Sequence, residues 1–147
     1  MKALTAIHAM VERCRAGDDP RVVARLHSGW VVLAARQVLE GYCLLLPDPV
    51  VPHLNALPPD LRSQFLSDMS RVGDALIEVT AALRINYAIF GNVEPALHAH
   101  IFPRQQGEPA AVRTAHPWAL DWHTALDYSD AVHGGLRHRL AAALGAN

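Results

Sequence analysis

The most regular pattern along the chain is a stripe of apolar residues that recurs every three or four positions in residues 57–83. This spacing follows the turn of an α-helix and places the apolar side chains on one face. The stripe comprises Leu61, Phe65, Met69, Val72, Leu76, Val79 and Leu83. A partner surface would show the same stripe, but a helix that packs across a sheet of its own chain is the simpler interpretation. The pattern therefore predicts one long helix, with polar residues such as Arg62, Asp68 and Asp74 largely off its apolar face.

Two shorter apolar segments before this helix have the composition of β-strands. Residues 30–35 and 41–46 are rich in β-branched and large side chains, which favour extended backbone. Pro47-Asp48-Pro49 ends the second segment, because proline cannot donate to a sheet. We therefore predict two strands that are joined by a short connector.

Two further helices are predicted ahead of these strands. Residues 3–15 carry apolar side chains at helical spacing. Asp19 has the chemistry of a helix N-cap, and Pro20 suits a first helical position. Residues 20–26 are therefore predicted to form a short helical piece, which Gly29 would follow as a break.

A hairpin is predicted after the long helix. The apolar residues 85–90 form its first strand and residues 97–103 its second. Gly91-Asn92 and Glu94-Pro95 between them have turn chemistry. The two strands should therefore lie side by side in the sheet.

The second strand of this hairpin contains two histidines separated by one residue. Because side chains alternate along a strand, His98 and His100 should project from the same face. The opposite face would pack on the core through Leu97, Ala99 and Ile101. Pro103 should end the strand or place it at an edge.

The C-terminal part of the chain contains one clear helical pattern. In residues 126–144 an apolar residue recurs every four positions, and Gly134-Gly135 in the middle is expected to kink or break the helix. Residues 110–122 show no clear period. Together with the preceding elements, this predicts the α+β class. We expect an antiparallel sheet of about five strands, the long helix across one face and additional terminal helices.

Length, charge and cysteine content restrict the class of protein. At 147 residues, one domain covering residues 1–147 is expected, with a core at about 26–104 and a C-terminal extension at 105–147. The formal net charge of −1 lacks the basic excess of a nonspecific nucleic-acid binder. Cys14 and Cys43 show neither metal-ligand spacing nor a disulfide framework. With no signal-peptide pattern and no apolar run long enough for a bilayer, we expect a cytoplasmic protein that binds no membrane.

The histidine strand resembles the central motif of the histidine triad (HIT) superfamily of nucleotide hydrolases and transferases. That motif reads His-φ-His-φ-His-φ-φ, where φ is apolar, and Pro-Arg often follows it. Here Pro103-Arg104 sets the register, so that His98 and His100 match the second and third histidines. Ala96 stands where the first histidine belongs.

The resemblance extends beyond the histidines. Gly91-Asn92 matches the Gly-Gln or Gly-Asn that precedes the motif, and the sequence looks most like bacterial members that read Leu-Gly-Asn-x-x-Pro-Gln-Leu-His-x-His. The order of strand, Gly41 turn, strand and long helix extends it over roughly residues 30–104. The resemblance implies a HIT-like α+β fold, a homodimer, and no bound cofactor or structural metal.

The activity that the resemblance implies is hydrolysis or transfer at the α-phosphate of a nucleotide, with a dinucleoside polyphosphate as the favoured substrate. A neutral imidazole is a competent nucleophile, and we assign that role to His98, which would form a nucleotidyl-histidine that water hydrolyses. His100 would stabilise the charge that develops on a phosphate oxygen. Gly91, Asn92 and Arg104 would bind the phosphates.

Other interpretations of these residues stay open. The site could bind a nucleotide without turnover. Histidines two residues apart on a strand can also be a pair of metal ligands, and the set could be completed by His116, His123 and Asp121. Trp118 and Trp122 could stack on a base or simply pack half-buried.

Overall fold

An antiparallel sheet forms the centre of the protein, for which the computed structural model describes residues 4–145. In chain order the strands are β1 (Val22–Arg25), β2 (Gly29–Leu33), β3 (Arg36–Gln37), β4 (Cys43–Pro47), β5 (Arg84–Ala88), β6 (Ala99–Arg104) and β7 (Leu126–Asp127). Within this range, five of them form one sheet in the order β1-β2-β4-β6-β5, while β3 pairs with β7 separately. All pairings are antiparallel, which confirms the predicted sheet.

Helices lie on both sides of this sheet. They are α1 (Ala6–Ala16), α2 (Pro59–Thr80), α3 (Ala110–Arg113) and α4 (Asp130–Ala143), with single 3₁₀ turns at Leu54–Ala56 and Pro117–Ala119. The long helix and the terminal helices are confirmed, although residue 3 of the first predicted helix lies outside the described range. α4 begins after the N-cap Ser129 and runs through Gly134-Gly135 without the predicted break. Of the described helices, none has the length and apolar character that crossing a membrane requires.

The apolar residues of the sheet are buried on both faces. On one face α2 and α4 pack against the strands through Phe65, Val72, Leu76, Leu136 and Leu140, which meet Val31, Leu45, Leu97, Ala99 and Ile101. On the other face α1 and the C-terminal segment cover Val32, Tyr42, Leu44, Leu46 and Phe102. This two-sided burial explains why the strands before α2 read as continuous apolar runs rather than as alternation.

Residues 20–26, which were predicted to be helical, instead contain the edge strand β1. The Asp19 carboxylate accepts hydrogen bonds from the backbone and side chain of Arg21, so it stabilises a turn rather than capping a helix. Ala24 then pairs with Val31 of β2. An isolated helical turn gains little stability in water, whereas β-branched valines gain contacts at the edge of a sheet. The prediction was wrong because pairing with the next strand, β2, decided the conformation.

The turn between β1 and β2 is fixed by a residue that the helical pattern placed off the packing face of α2. Asp68 is completely buried, and its carboxylate accepts a hydrogen bond of 2.8 Å from the backbone N–H of Ser28. Gln64 donates a second hydrogen bond to it at 3.0 Å. At the neighbouring Gly29, a Cβ atom would lie 1.8 Å from the carbonyl oxygen of Leu46, so only glycine fits there.

Candidate active site

The two motif histidines lie at one cavity of about 910 Å³. Strand β5 and the turn that follows it form one wall, β6 forms the floor, and the residues around Trp118 form the opposite wall. Phe90 and Trp118 meet edge to face with ring centroids 4.9 Å apart. The cavity is therefore largely aromatic and apolar, with the polar edges of the imidazoles at its floor.

His98 lies immediately before β6, and a backbone contact fixes which of its ring nitrogens carries the hydrogen in the neutral form. The backbone N–H of the preceding Leu97 donates to the Val51 carbonyl at 2.9 Å, which fixes this stretch of chain. The Nδ1 atom of His98 lies 2.8 Å from the carbonyl oxygen of Ala96. A carbonyl oxygen can only accept a hydrogen bond, so Nδ1 carries the hydrogen and Nε2 keeps its lone pair in the neutral ring. His98 is thus presented as the form of imidazole that can attack an electrophile through Nε2.

His100 is enclosed by aromatic rings on the same side of the sheet. It stacks on Phe102 with centroids 6.1 Å apart and meets the edge of Trp118 at 5.0 Å. Its ring centroid is 4.8 Å from that of His98. Burial, together with the neighbouring His98, lowers the pKa of His100 from its ordinary 6.5 to about 4. His100 is therefore neutral at physiological pH.

His100 also has a fixed hydrogen-bond partner. The Nδ1 atom lies 2.6 Å from the hydroxyl oxygen of Tyr42, the residue immediately before the neighbouring strand β4. Tyr42 is 5% exposed and stacks on Phe102 with centroids 4.0 Å apart. The two histidines therefore have different partners, a backbone carbonyl for one and a phenol for the other.

Gly91 and Asn92 also line the cavity. Gly91 has φ of 127°, a left-handed backbone conformation that a residue with a side chain rarely adopts. The turn therefore depends on glycine at this position. It brings the exposed Asn92 to the same cavity as the histidines, so four of the five predicted site residues come together.

Arg104, the fifth predicted site residue, is not brought to the cavity. Its side chain donates to both carboxylate oxygens of Glu108, to the Asn86 side chain, and to the carbonyl oxygens of Val112 and Ala115. These contacts use all the N–H groups of the guanidinium. With only 6% of the residue exposed, no donor is left for a phosphate. The predicted phosphate-binding role does not fit this geometry.

The Arg104 contacts instead anchor the C-terminal segment that closes the cavity. The guanidinium holds the pKa of the Glu108 carboxyl below its ordinary value, and the same carboxylate accepts the backbone N–H of Gln105 at 2.7 Å. Residues after this anchor carry His116 and Trp118 to the cavity wall. The sequence pattern did not predict that this segment would reach the cavity, because the segment has no period and its course depends on a buried ion pair.

Of the remaining candidates in the C-terminal segment, Trp118 lines the cavity, whereas Trp122, His123 and Asp121 do not. Trp118 is 45% exposed at the cavity, whereas Trp122 packs against Tyr42 and Phe102 and donates from Nε1 to the Pro117 carbonyl. His123 and Asp121 hydrogen-bond to each other through the backbone N–H of His123 and do not line the cavity. In residues 4–145 no three His, Cys, Asp or Glu side chains are grouped so that they could hold a metal ion.

Sequence comparison assigns the chain to a family. Residues 17–107, which make up most of the chain, match the family model described as the HIT domain. The protein therefore belongs to the HIT domain family, whose members bind small nucleotide ligands. Among curated proteins, no sequence matches this chain.

Several solved structures share the fold. A histidine triad protein from Bradyrhizobium japonicum is 25% identical over 88% of this chain and 94% of its own, with a TM-score of 0.72. A Zn-bound histidine triad family protein from Mycobacterium smegmatis is 23% identical, over 93% of this chain and 90% of its own, with a TM-score of 0.65. A histidine triad protein from Sinorhizobium meliloti is 20% identical, over 89% of this chain and 93% of its own, with a TM-score of 0.69. These likenesses confirm the HIT-like α+β fold.

Proposed function

We propose that the protein catalyses hydrolysis or transfer at the α-phosphate of a nucleotide through a covalent intermediate on His98. The observation that carries this proposal is the hydrogen bond from His98 Nδ1 to the Ala96 carbonyl, which makes Nε2 the nitrogen with the lone pair in the neutral ring, beside a cavity. A nucleophile of this kind needs no general base, because it has no proton to lose before attack.

The proposed reaction has two displacements. In the first, Nε2 of His98 bonds to the α-phosphorus while the bond from phosphorus to the leaving-group oxygen breaks. The imidazole ring then carries a positive charge, which the Ala96 carbonyl stabilises because a charged N–H donates more strongly than a neutral one. In the second, water attacks the phosphorus, the phosphorus–nitrogen bond breaks, and a nucleoside monophosphate is released.

In this proposal the other cavity residues stabilise the phosphate during both displacements. His100 donates a hydrogen bond to a non-bridging oxygen as negative charge builds up on it. Asn92 and the backbone N–H groups of the Gly91 turn supply further donors. His100 contributes as a neutral donor, since burial lowers its pKa to about 4.

The favoured substrate in this proposal is a dinucleoside polyphosphate. Ala96 is buried among apolar side chains, so no imidazole at this position delivers a proton to the leaving group. A nucleoside polyphosphate leaves as a stable anion and needs little protonation, unlike an amine. Among the described residues 4–145, no lysine or arginine lines the cavity, so the distal phosphates would extend into solvent and stay hydrated.

The experiment is to incubate the protein with diadenosine tetraphosphate that is radiolabelled in the adenosine, quench in alkali and measure the label retained on protein. We expect stoichiometric label on wild-type protein and none on His98→Ala. Turnover without any retained label in rapid-quench samples would contradict the covalent intermediate. Tight binding without turnover would instead identify a nucleotide-binding protein that is not catalytic.

We also propose that the protein acts as a homodimer through the edge strand β5. Within residues 4–145 this strand has a neighbour on one side only, and apolar side chains next to it are exposed, with Leu83 at 55% and Phe90 at 60%. An exposed apolar edge favours pairing with a second copy. Sedimentation should show a dimer that Leu83→Glu converts to a monomer, whereas Leu126→Glu, at an exposed site elsewhere, leaves it intact. A monomeric wild type would refute this part of the proposal.

A further inference from the structure

We propose that Tyr42 is a positioning residue that holds His100 in the tautomer with hydrogen on Nε2, and so presents an N–H donor to the substrate phosphate. The inference rests on the proposed function for the phosphate, but the tautomer itself can be measured without any substrate. Nothing in the sequence motif assigns a role to Tyr42, which lies more than fifty residues before the histidines.

The placement of Tyr42 follows from the pairing of β4 with β6. Leu44 lies opposite His100 and Cys43 opposite Ile101, so Tyr42 comes two residues further along the same face. A side chain at such a diagonal position can reach its cross-strand neighbour. The hydroxyl oxygen of Tyr42 and Nδ1 of His100 are 2.6 Å apart, a distance typical of a short hydrogen bond.

The direction of this hydrogen bond can be derived from the partners of the hydroxyl. If His100 Nδ1 carried the hydrogen, the phenol would accept, and its own O–H would need a second acceptor. Within residues 4–145 the hydroxyl has no other hydrogen-bond partner. An unpaired O–H at a residue that is 5% exposed would cost about 1–3 kcal/mol. The phenol therefore donates, and Nδ1 accepts.

Two ionisation states support this assignment. Burial raises the pKa of Tyr42 above its ordinary value, so the phenol keeps its hydrogen. Burial also keeps His100 neutral at physiological pH. A neutral imidazole whose Nδ1 accepts must carry its single hydrogen on Nε2.

Tyr42 acts through His100 and does not line the cavity. Its ring is stacked on Phe102, and the edge of Trp122 packs against it with centroids 6.0 Å apart. These contacts fix the hydroxyl without placing it near a ligand. The consequence is that neighbouring histidines have opposite tautomers. His98 has hydrogen on Nδ1 and a free lone pair on Nε2, whereas His100 has hydrogen on Nε2.

The direct test is long-range proton–nitrogen correlation NMR of the imidazoles in ¹⁵N-labelled full-length protein, with His100→Gln used to assign the signals. We expect the Nε2–H tautomer at His100 and the Nδ1–H tautomer at His98 in the same spectrum. In Tyr42→Phe, which keeps the stacked ring but loses the hydroxyl, His100 should become a mixture of tautomers. A wild-type His100 with hydrogen on Nδ1 overturns the proposal, as does an unchanged tautomer in Tyr42→Phe.

The kinetic test uses diadenosine tetraphosphate as the probe. Tyr42→Phe should lower kcat about tenfold and change KM less than twofold, because the donor matters most as charge builds up on the phosphate. Tyr128→Phe is the matched control, since it removes another hydrogen-bonded phenol that does not line the cavity and should keep wild-type kcat. A mixed tautomer with unchanged kcat overturns the role in catalysis. An inactive wild type refutes the proposed function alone, because the NMR result still decides the tautomer.

Discussion

At the scale of single residues, the site is defined by which nitrogen of each imidazole carries a hydrogen. A backbone carbonyl fixes one ring and a phenol contacts the other, although the two histidines differ in position by only two residues. Neither partner is charged, and in the part of the chain that the structure describes no lysine or arginine lines the cavity. The two imidazoles are therefore oriented by neutral hydrogen-bond partners and not by ion pairs.

The proposed role of His98 as nucleophile gives the first prediction. His98→Ala should reduce turnover of diadenosine tetraphosphate to background, because the proposed covalent intermediate forms on this side chain. His98→Gly should be partly rescued by added imidazole, which can occupy the space of the lost ring. His138→Ala, on the exposed side of α4, serves as the control. A His98→Ala variant with the wild-type rate would remove His98 from the mechanism.

The low pKa of His100 predicts a loss of stability in mild acid. The unfolded chain binds a proton at this histidine near pH 6.5, whereas the folded protein does so only near pH 4. Stability is therefore present above pH 6.5 and is lost as the pH falls through this window. Between pH 7 and pH 5 the wild type should lose on the order of 1 kcal/mol more than His100→Gln, after allowance for partial exposure. Urea unfolding measures this difference, and equal losses would contradict it.

The leaving group gives a prediction that follows from Ala96. Without an imidazole there, the site should cleave a phosphoanhydride faster than a phosphoramidate, whose amine must be protonated to leave. The measurement compares kcat/KM of the wild type for diadenosine tetraphosphate and for an adenosine phosphoramidate. His98→Ala should lose both activities, which controls for contaminating enzymes. Equal or higher activity on the phosphoramidate would refute the preference.

At the scale of elements, the end of β6 connects the sheet to the segment that closes the cavity. Arg104 and Glu108 form a buried pair with a closest distance of 2.7 Å, and the arginine also holds the carbonyls of Val112 and Ala115. The segment that carries Trp118 therefore depends on one side chain of the central sheet.

This anchor predicts a joint effect on stability and substrate binding. Glu108→Gln leaves the Arg104 charge buried without its counter-ion and should cost on the order of 2 kcal/mol of unfolding free energy. It should also raise KM for the nucleotide, because Trp118 would no longer be held at the cavity. Asp127→Asn breaks the exposed pair with Arg36 and should cost less than about 1 kcal/mol. Denaturation measures the free energy of unfolding, and steady-state kinetics measure KM. A Glu108→Gln protein in which neither quantity changes would contradict the anchoring role.

At the scale of the whole molecule, both faces of the sheet are covered and the cavity opens beside the edge strand β5. The rigid sheet fixes the imidazoles, while the turn at Gly91 and the C-terminal segment supply the walls. The sheet and the chain next to it thus position the two imidazoles, while loops supply the other contacts of the cavity.

Removal of metal ions gives a prediction for the molecule as a whole. Histidine chemistry at phosphorus needs no bound transition metal, so exhaustive chelation should leave kcat and the melting temperature unchanged. The measurement is elemental analysis with activity and thermal unfolding before and after chelation. Stoichiometric zinc or iron in the purified protein, with activity lost on its removal, would favour the metal-dependent alternative with His98 and His100 as ligands.

The features that sequence alone determined are those set by local periodicity and by a compact motif. The stripe in residues 57–83 predicted α2, because helical spacing and apolar side chains are properties of neighbouring residues. Alternation predicted that Leu97, Ala99 and Ile101 would pack on the core, opposite the histidines. The Gly91-Asn92 turn and the two histidines could be identified together because one short hairpin contains them.

The features that only the tertiary structure decided depend on contacts between separate segments of the chain. β1 became a strand because β2 was available to pair with it. Arg104 forms a buried ion pair with Glu108 and also donates to the carbonyl of Ala115, which lies in a segment without a sequence period. Tyr42 reached His100 because the register of β4 against β6 placed both on one face, and register cannot be read from either strand alone.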